Sequence, residues 1–133
     1  MSTVSHNSAW DHWYRRALPA YWIFLFSATH FPQLELDIPI RAPDKVAHWT
    51  AFGLLSFLFW RFAETLHRPV SSGFAWKAGL TLVAYAAVDE YLQQFVGRST
   101  DLADWVCNAA GIVAVLAIME WRRRVTRNTA DVA

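Results

Sequence analysis

Four long apolar stretches, parted by short polar breaks, run along this chain. The first, residues 17–31, is rich in aromatics and stops at Pro32, which offers no helical N–H and disfavours helix in the residue before it. Pro43 suits a first helical position ahead of the second, residues 46–62 (VAHWTAFGLLSFLFWRF), which is interrupted at His48 and near Arg61. Ser71 and Ser72 are candidate N-caps for the third, residues 73–97 (GFAWKAGLTLVAYAAVDEYLQQFVG), which Gly97 closes as a C-terminal cap would. Ser99, Thr100 or Asp101 can cap the fourth, residues 102–121 (LADWVCNAAGIVAVLAIMEW), and the basic cluster Arg122, Arg123, Arg124 and Arg127 ends it. Each stretch comes close to the roughly 20 residues that cross a hydrocarbon core, so the pattern predicts four membrane-spanning helices with polar ends at headgroup depth.

Composition allows this reading without settling it. The 133 residues make one domain; 55% hydrophobic and 16% aromatic residues exclude disorder, and the charged fraction is only 17%, against roughly 25% in soluble domains. A mean hydropathy of +0.17 is low for a membrane protein, which keeps a soluble helical bundle in contention. Charge placement decides between the two. With the N-terminus inside, Arg15, Arg16, Arg61, Arg68, Lys77, Arg122, Arg123, Arg124 and Arg127 fall on the cytoplasmic side, leaving Arg41, Lys45 and Arg98 outside, as the positive-inside rule requires. Trp60, Trp76 and Trp121 fall at inner helix ends and Trp49, Tyr91 and Trp105 at outer ends, like two interfacial belts.

The expected fold is therefore all-α, a four-transmembrane-helix bundle with both termini cytoplasmic. Residues 1–16 form an N-terminal cytoplasmic or interfacial segment, where Trp10, Trp13 and Tyr14 suit a short amphipathic stretch; residues 17–121 form the membrane domain and residues 122–133 a basic tail. The first sixteen residues carry no cleavable signal, so the first apolar stretch is expected to stay as an anchor. A net charge of +1 gives no basis for nucleic-acid binding. The single Cys107 excludes an intramolecular disulfide and a CxxC metal site, and it is expected as a small buried residue.

In an up-and-down bundle three helix ends that hold the uncommon polar residues meet on the outer side. The second helix opens with Asp44, Lys45 and His48; the third finishes with Asp89, Glu90, Gln93 and Gln94; Arg98 lies in the turn; and the fourth opens with Asp101, Asp104 and Asn108. Ser27 and His30 end the first helix on the same side. The pairs Asp44/His48, Asp89/Gln93, Glu90/Gln94 and Asp104/Asn108 each share a helical face. Acidic groups near a helix N-terminus suit its dipole, whereas Asp89 and Glu90 near a C-terminus do not, and they call for a partner such as Lys45, Arg98 or His48. Ionisable groups at membrane depth are costly and point to function; helix capping is the competing account. Gly53 and Gly111 are expected to be close-packing contacts between helices. No Walker, HExxH or GxSxG pattern occurs, and no cofactor is expected. A metal held by His48, Asp89, Glu90 and Asp104 is under-determined, since one imidazole with scattered carboxylates suits many cations.

Asp44-Lys45-x-x-His48 with Gly53 downstream, Asp89-Glu90-x-x-Gln93, Gly97-Arg98-Ser99 and Asp104-x-x-x-Asn108-x-x-Gly111, in that order, resemble the VanZ-like family of integral membrane proteins. The resemblance covers about residues 44–111. Family members often carry Pro before the Gly of the third motif, where this chain has Val96. The resemblance implies a multi-pass protein of the bacterial cytoplasmic membrane with an envelope role, the family's namesake being linked to resistance to the glycopeptide teicoplanin. It brings no established reaction.

Two functions compete. In the first, the outer face recognises an amphiphilic envelope molecule, a lipid-linked cell-wall intermediate or lipoglycopeptide. Lys45 and Arg98 then bind phosphate or carboxylate, and Asp89, Gln93, Asp104 and Asn108 complete the contacts to polar head groups. In the second, a hydrolase or transferase uses His48 as general acid or base, oriented by Asp44 or Glu90, with Arg98 stabilising negative charge. No nucleophile is evident, because Ser99 suits a cap and Cys107 a packing position. Ion movement is disfavoured, since no chain of ionisable groups crosses helices two to four. Membrane lipids are expected partners.

Overall fold

The computed structural model describes residues 9–31, 41–67, 70–98 and 100–130, and they are helical almost throughout. Four α-helices follow one another, α1 (Ala9–Thr29), α2 (Arg41–Leu66), α3 (Phe74–Gln93) and α4 (Leu102–Ala130), with a single 3₁₀ turn, Gln94–Val96, after α3. Pro32, Arg68 and Ser99, which the sequence singled out, lie outside the described residues.

Helix boundaries depart from the apolar stretches at both termini. α1 begins well before residue 17, so Trp10, Trp13 and Tyr14 form its opening turns rather than a separate segment, with Asp11 in the first turn complementing the dipole. At the other end α4 runs through the basic cluster to Ala130. Glu120 takes two hydrogen bonds from Arg123, at 2.8 and 2.7 Å, and one from Arg124 at 2.8 Å. These pairs one turn apart favour helix, as do cations at its C-terminal end. Neither Ser71 nor Ser72 caps α3, which starts after Gly73 at φ 85° without a side-chain cap. Gly97 fills its expected role at φ 77°, where a side chain would be strained, and the Arg98 N–H returns to the Gln93 carbonyl at 3.2 Å. Asp101 is the cap of α4, its Oδ1 accepting the Ala103 N–H at 2.8 Å.

The helices alternate in direction, as contacts at both ends establish. Arg15 near the start of α1 donates to Thr65 near the end of α2, and Lys45 at the start of α2 pairs with Asp101 and Asp104 at the start of α4. α2 is the hub, packing most extensively on α4 and then on α1, while α3 leans chiefly on α4. Gly53 and Gly111 let α2 and α4 approach. A Cβ on Gly111 would overlap the Trp49 carbonyl oxygen and stand 3.2 Å from the Gly53 nitrogen, whereas one on Gly53 would meet only Val115 at 3.3 Å and the Gly111 carbonyl. Phe52, Leu55, Leu82, Ala86 and Ile112 fill the middle of the bundle.

Polar groups are inside and many apolar ones outside. Asp89, Gln93, Asn108 and Ser56 are almost wholly buried, while Ile23, Phe24, Val46, Leu80, Val88, Val113 and Ile118 are exposed, spread over all four helices. So broad an apolar surface on a monomer marks contact with a membrane or partner. α4 is the one helix, among the described residues, long and apolar enough to cross a bilayer by itself, with mean hydropathy 1.9 over its most apolar window and a third of that window buried. Trp49, Trp76, Tyr91 and Trp121 are exposed, but Trp60 is core, edge-on to Phe74 at 5.3 Å. Cys107 is half-buried rather than enclosed.

Gly111→Ala is expected to force α2 and α4 apart and to destabilise the protein by about 1–3 kcal/mol, the cost of overpacking a filled interior. Gly53→Ala, which meets the end of a flexible side chain, should cost less. Thermal unfolding in detergent ranks the two, and an unchanged midpoint for Gly111→Ala would deny the close approach.

Candidate functional site

The α2–α4 contact brings the openings of both helices side by side, and His48 stands at their junction. It is 7% exposed, because the helical face that carries it is the one turned to α4. Its Nδ1 lies 3.1 Å from the Asn108 Oδ1. With the amide oxygen as acceptor, the bond assigns the proton to Nδ1, and Nε2 is the nitrogen on the side of Asp44 and Asp104. Two carboxylate oxygens flank Nε2 at 3.8 Å, Asp44 Oδ1 from the preceding turn and Asp104 Oδ2 from α4. That is beyond hydrogen-bond reach. The Asn108 Nδ2, fully buried, has no partner among the described residues.

Lys45 lies beside this group and is occupied. Its Nζ donates to Asp104 Oδ1 at 3.1 Å and to Asp101 Oδ2 at 3.3 Å. The Asp104 hydrogen bond, reinforced by Asp101, raises the ammonium pKa above its usual value. Asp104 is thus shared, one oxygen on Lys45 and the other toward His48.

A second polar group sits on α3. Asp89, buried, accepts from the Thr29 and Tyr85 hydroxyls at 3.2 and 3.3 Å through Oδ1, and from the Gln93 amide at 3.3 Å through Oδ2. His30 Nδ1 is 3.8 Å from it. Glu90 takes the Gln93 amide at 3.4 Å and, through Oε1, the Asp101 backbone N–H at 2.8 Å. The partners of both acids are therefore mostly neutral donors, and neither uses Lys45 or Arg98, the cations the sequence suggested. Glu90 ties the end of α3 to the start of α4. The Arg98 side chain makes no hydrogen bond or ion pair among the described residues, although its backbone closes α3.

The structure thus brings Asp44, Lys45, His48, Asp104 and Asn108 into one group and Asp89, Glu90 and Gln93 into another, joined through Asp101. Gln94 is exposed and donates to the Tyr91 carbonyl at 2.8 Å rather than pairing with Glu90. Ser27 turns back to its own helix, on the Ile23 carbonyl. Thr29 and Tyr85 were missed; Tyr85 stands one turn before Asp89, a spacing that could have flagged it. Asp44, His48 and Asp104 offer ligand atoms within 4.8 Å of one another. One imidazole and two carboxylates can accept a divalent cation without selecting which. Asp89 and Glu90 are not in that set, which corrects the grouping expected from sequence.

A family model described as VanZ/LLP1 matches residues 2–123. No curated protein and no solved structure matches the chain.

The Glu90 tie is open to direct test. Glu90→Ala removes the acceptor of the Asp101 N–H and should lower stability by about 1–2 kcal/mol, while Glu90→Gln retains an acceptor oxygen and most of the stability. Thermal unfolding in detergent separates the two, and equal losses would mean that the carboxylate's charge matters rather than the cap.

Proposed function

Because the chain belongs to the VanZ/LLP1 family, we propose that it spans the bacterial cytoplasmic membrane four times, with both termini inside, and recognises an amphiphilic envelope molecule at its outer face. The ligand class is a lipid-linked cell-wall intermediate or a lipoglycopeptide, the latter offering a link to glycopeptide resistance. The observation that carries the reading is a buried polar group at one end of the bundle, beside which the Arg98 side chain has no partner among the described residues. A lone guanidinium at headgroup depth suits bidentate binding of phosphate or carboxylate. Lys45 contributes indirectly, since it already neutralises Asp101 and Asp104. Gln93 and Asn108 are buried beneath the site and hold Asp89 and His48 in place.

A membrane-embedded hydrolase or transferase is the second reading, and one observation favours it. His48 is held by Asn108 with Nε2 directed between two carboxylates, the arrangement of an oriented general acid or base. In that reading Arg98 stabilises developing negative charge.

Native mass spectrometry of the protein in mild detergent distinguishes these readings. Wild type should retain a lipid-linked envelope precursor that Arg98→Ala loses; under the enzymatic reading His48→Ala retains the precursor but abolishes its turnover. Retention of every precursor by Arg98→Ala would sink the recognition proposal. Topology is tested separately by single cysteines in a Cys107→Ala background: Thr100→Cys should label from outside and Ser72→Cys from inside, and the reverse pattern would invert the orientation.

A further inference from the structure

At the end of the bundle opposite His48, a cavity of about 790 Å³ opens between the first turns of α1 and the last turns of α2 and α4. Phe57, Trp60 and Met119 give it an apolar wall, and Tyr14 stands at its side. Four guanidinium groups, those of Arg61, Arg122, Arg123 and Arg127, line the same cavity against one carboxylate, Glu64. The positive-inside rule accounts for the sign of charge at this end. It does not account for a cavity, nor for how two of these arginines are held.

Arg123 grips Glu120 through Nε and Nη2, at 2.8 and 2.7 Å, which fixes the plane of its guanidinium. Its Nη1 is buried and has no acceptor. Arg61 is fixed as well, with Nη1 on Glu64 at 2.6 Å and its guanidinium carbon 4.7 Å from the Tyr14 ring centroid. Its Nε is likewise buried without an acceptor. Arg122 and Arg127 make no side-chain hydrogen bond or ion pair among the described residues. Both atoms are closed to solvent, so the groups open to the cavity are the guanidinium groups of Arg122 and Arg127, which are free to take an anion from outside the described residues.

We infer that this cavity is a second binding site, for a phosphate group, and that its occupant is the head group of an anionic phospholipid. Phosphate supplies acceptor oxygens to Arg122 and Arg127, and arginine is the side chain best matched to it. The volume falls in the range of ligand pockets, roughly 300–1,000 Å³, and greatly exceeds what a bare phosphate fills. The apolar wall suits the glycerol and upper acyl chains. Basic pockets between helices at the cytoplasmic side take anionic head groups on the same grounds.

The test uses the full chain in mild detergent, by native mass spectrometry, with phosphatidylglycerol or phosphatidylethanolamine of identical acyl chains. Wild type should retain one phosphatidylglycerol and little phosphatidylethanolamine. Arg122→Gln/Arg127→Gln, which empties two positions of the cavity, should weaken retention about thirtyfold. Arg16→Gln/Arg124→Gln removes equal charge from exposed residues that do not line it, and should bind as wild type. Equal weakening in both double variants, or equal retention of the two lipids, overturns the site, since charge or detergent-like partitioning would then explain binding. Inorganic phosphate supplies the remaining arm. If it raises the unfolding midpoint of wild type but not of Arg122→Gln/Arg127→Gln, and no lipid is retained, the anion site stands and its source is soluble phosphate. If neither probe binds, the inference fails.

Discussion

The close approach of α2 and α4 is the constraint on which the rest of the structure depends. It requires two helices to meet nearly backbone to backbone, which Gly53 and Gly111 permit and a side chain at Gly111 would forbid. Once that contact is made, residues one to two turns toward the N-terminus of each helix must lie side by side. Lys45 then reaches Asp101 and Asp104, and His48 reaches Asn108. Neither interaction brings the helices together unaided, because the Lys45 pairs are exposed enough to be worth little and the His48–Asn108 bond replaces bonds to water. Packing sets the distance, and the polar groups are arranged by it.

At the polar end, burial of Asp89 and Glu90 is tolerated because each of their carboxylate oxygens has a donor. Asp89 is satisfied by two hydroxyls and an amide, and Glu90 by an amide and a backbone N–H at the start of α4. Those two acids therefore fit the capping account of the polar residues, in which short helices are stitched together at their ends. Lys45–Asp104 and His48–Asn108 stitch α2 to α4 in the same way, but the approach of Asp44 and Asp104 to His48 Nε2 does not fit that account. Both carboxylates stand 3.8 Å from Nε2 and complete no hydrogen bond with it. The functional reading is strongest where the structural one runs out, at His48 Nε2 and at Arg98.

The number and order of the helices were legible in the sequence because apolar runs of this length, ended by Pro, Gly and charge, leave few alternatives. So was the meeting of polar residues at one end, which follows from alternating helix directions alone. Boundaries were not legible. A run of arginines after Trp121 resembles a stop, yet Glu120 converts it into a helix-stabilising network, and this depends on side-chain geometry rather than on composition. Partner choice was not legible either. Lys45 was expected to meet a ligand, and Asp89 to need a cation, because sequence separation hides which face of each helix is turned inward. Thr29 and Tyr85 escaped notice since a hydroxyl in an apolar run carries no signal until its neighbour is known.

The two ends of the bundle solve opposite electrostatic problems on the same pair of helices. One end gathers carboxylates and answers most of them internally, through Lys45, hydroxyls, amides and the backbone. The other gathers arginines, and although Glu64 and Glu120 hold Arg61, Arg123 and Arg124, buried N–H groups remain without acceptors. Unmet donors are costlier to leave than unmet acceptors, since a carboxylate oxygen has spare lone pairs that tolerate partial solvation while a buried N–H has one direction and one proton. Each end leaves buried nitrogens unmatched among the described residues, His30 Nε2 and Asn108 Nδ2 at one and Arg61 Nε and Arg123 Nη1 at the other, but only the basic end sets Arg122 and Arg127 at the wall of a cavity. Because α2 and α4 carry both ends, whatever occupies one end bears on the same helix contact that sets the geometry of the other.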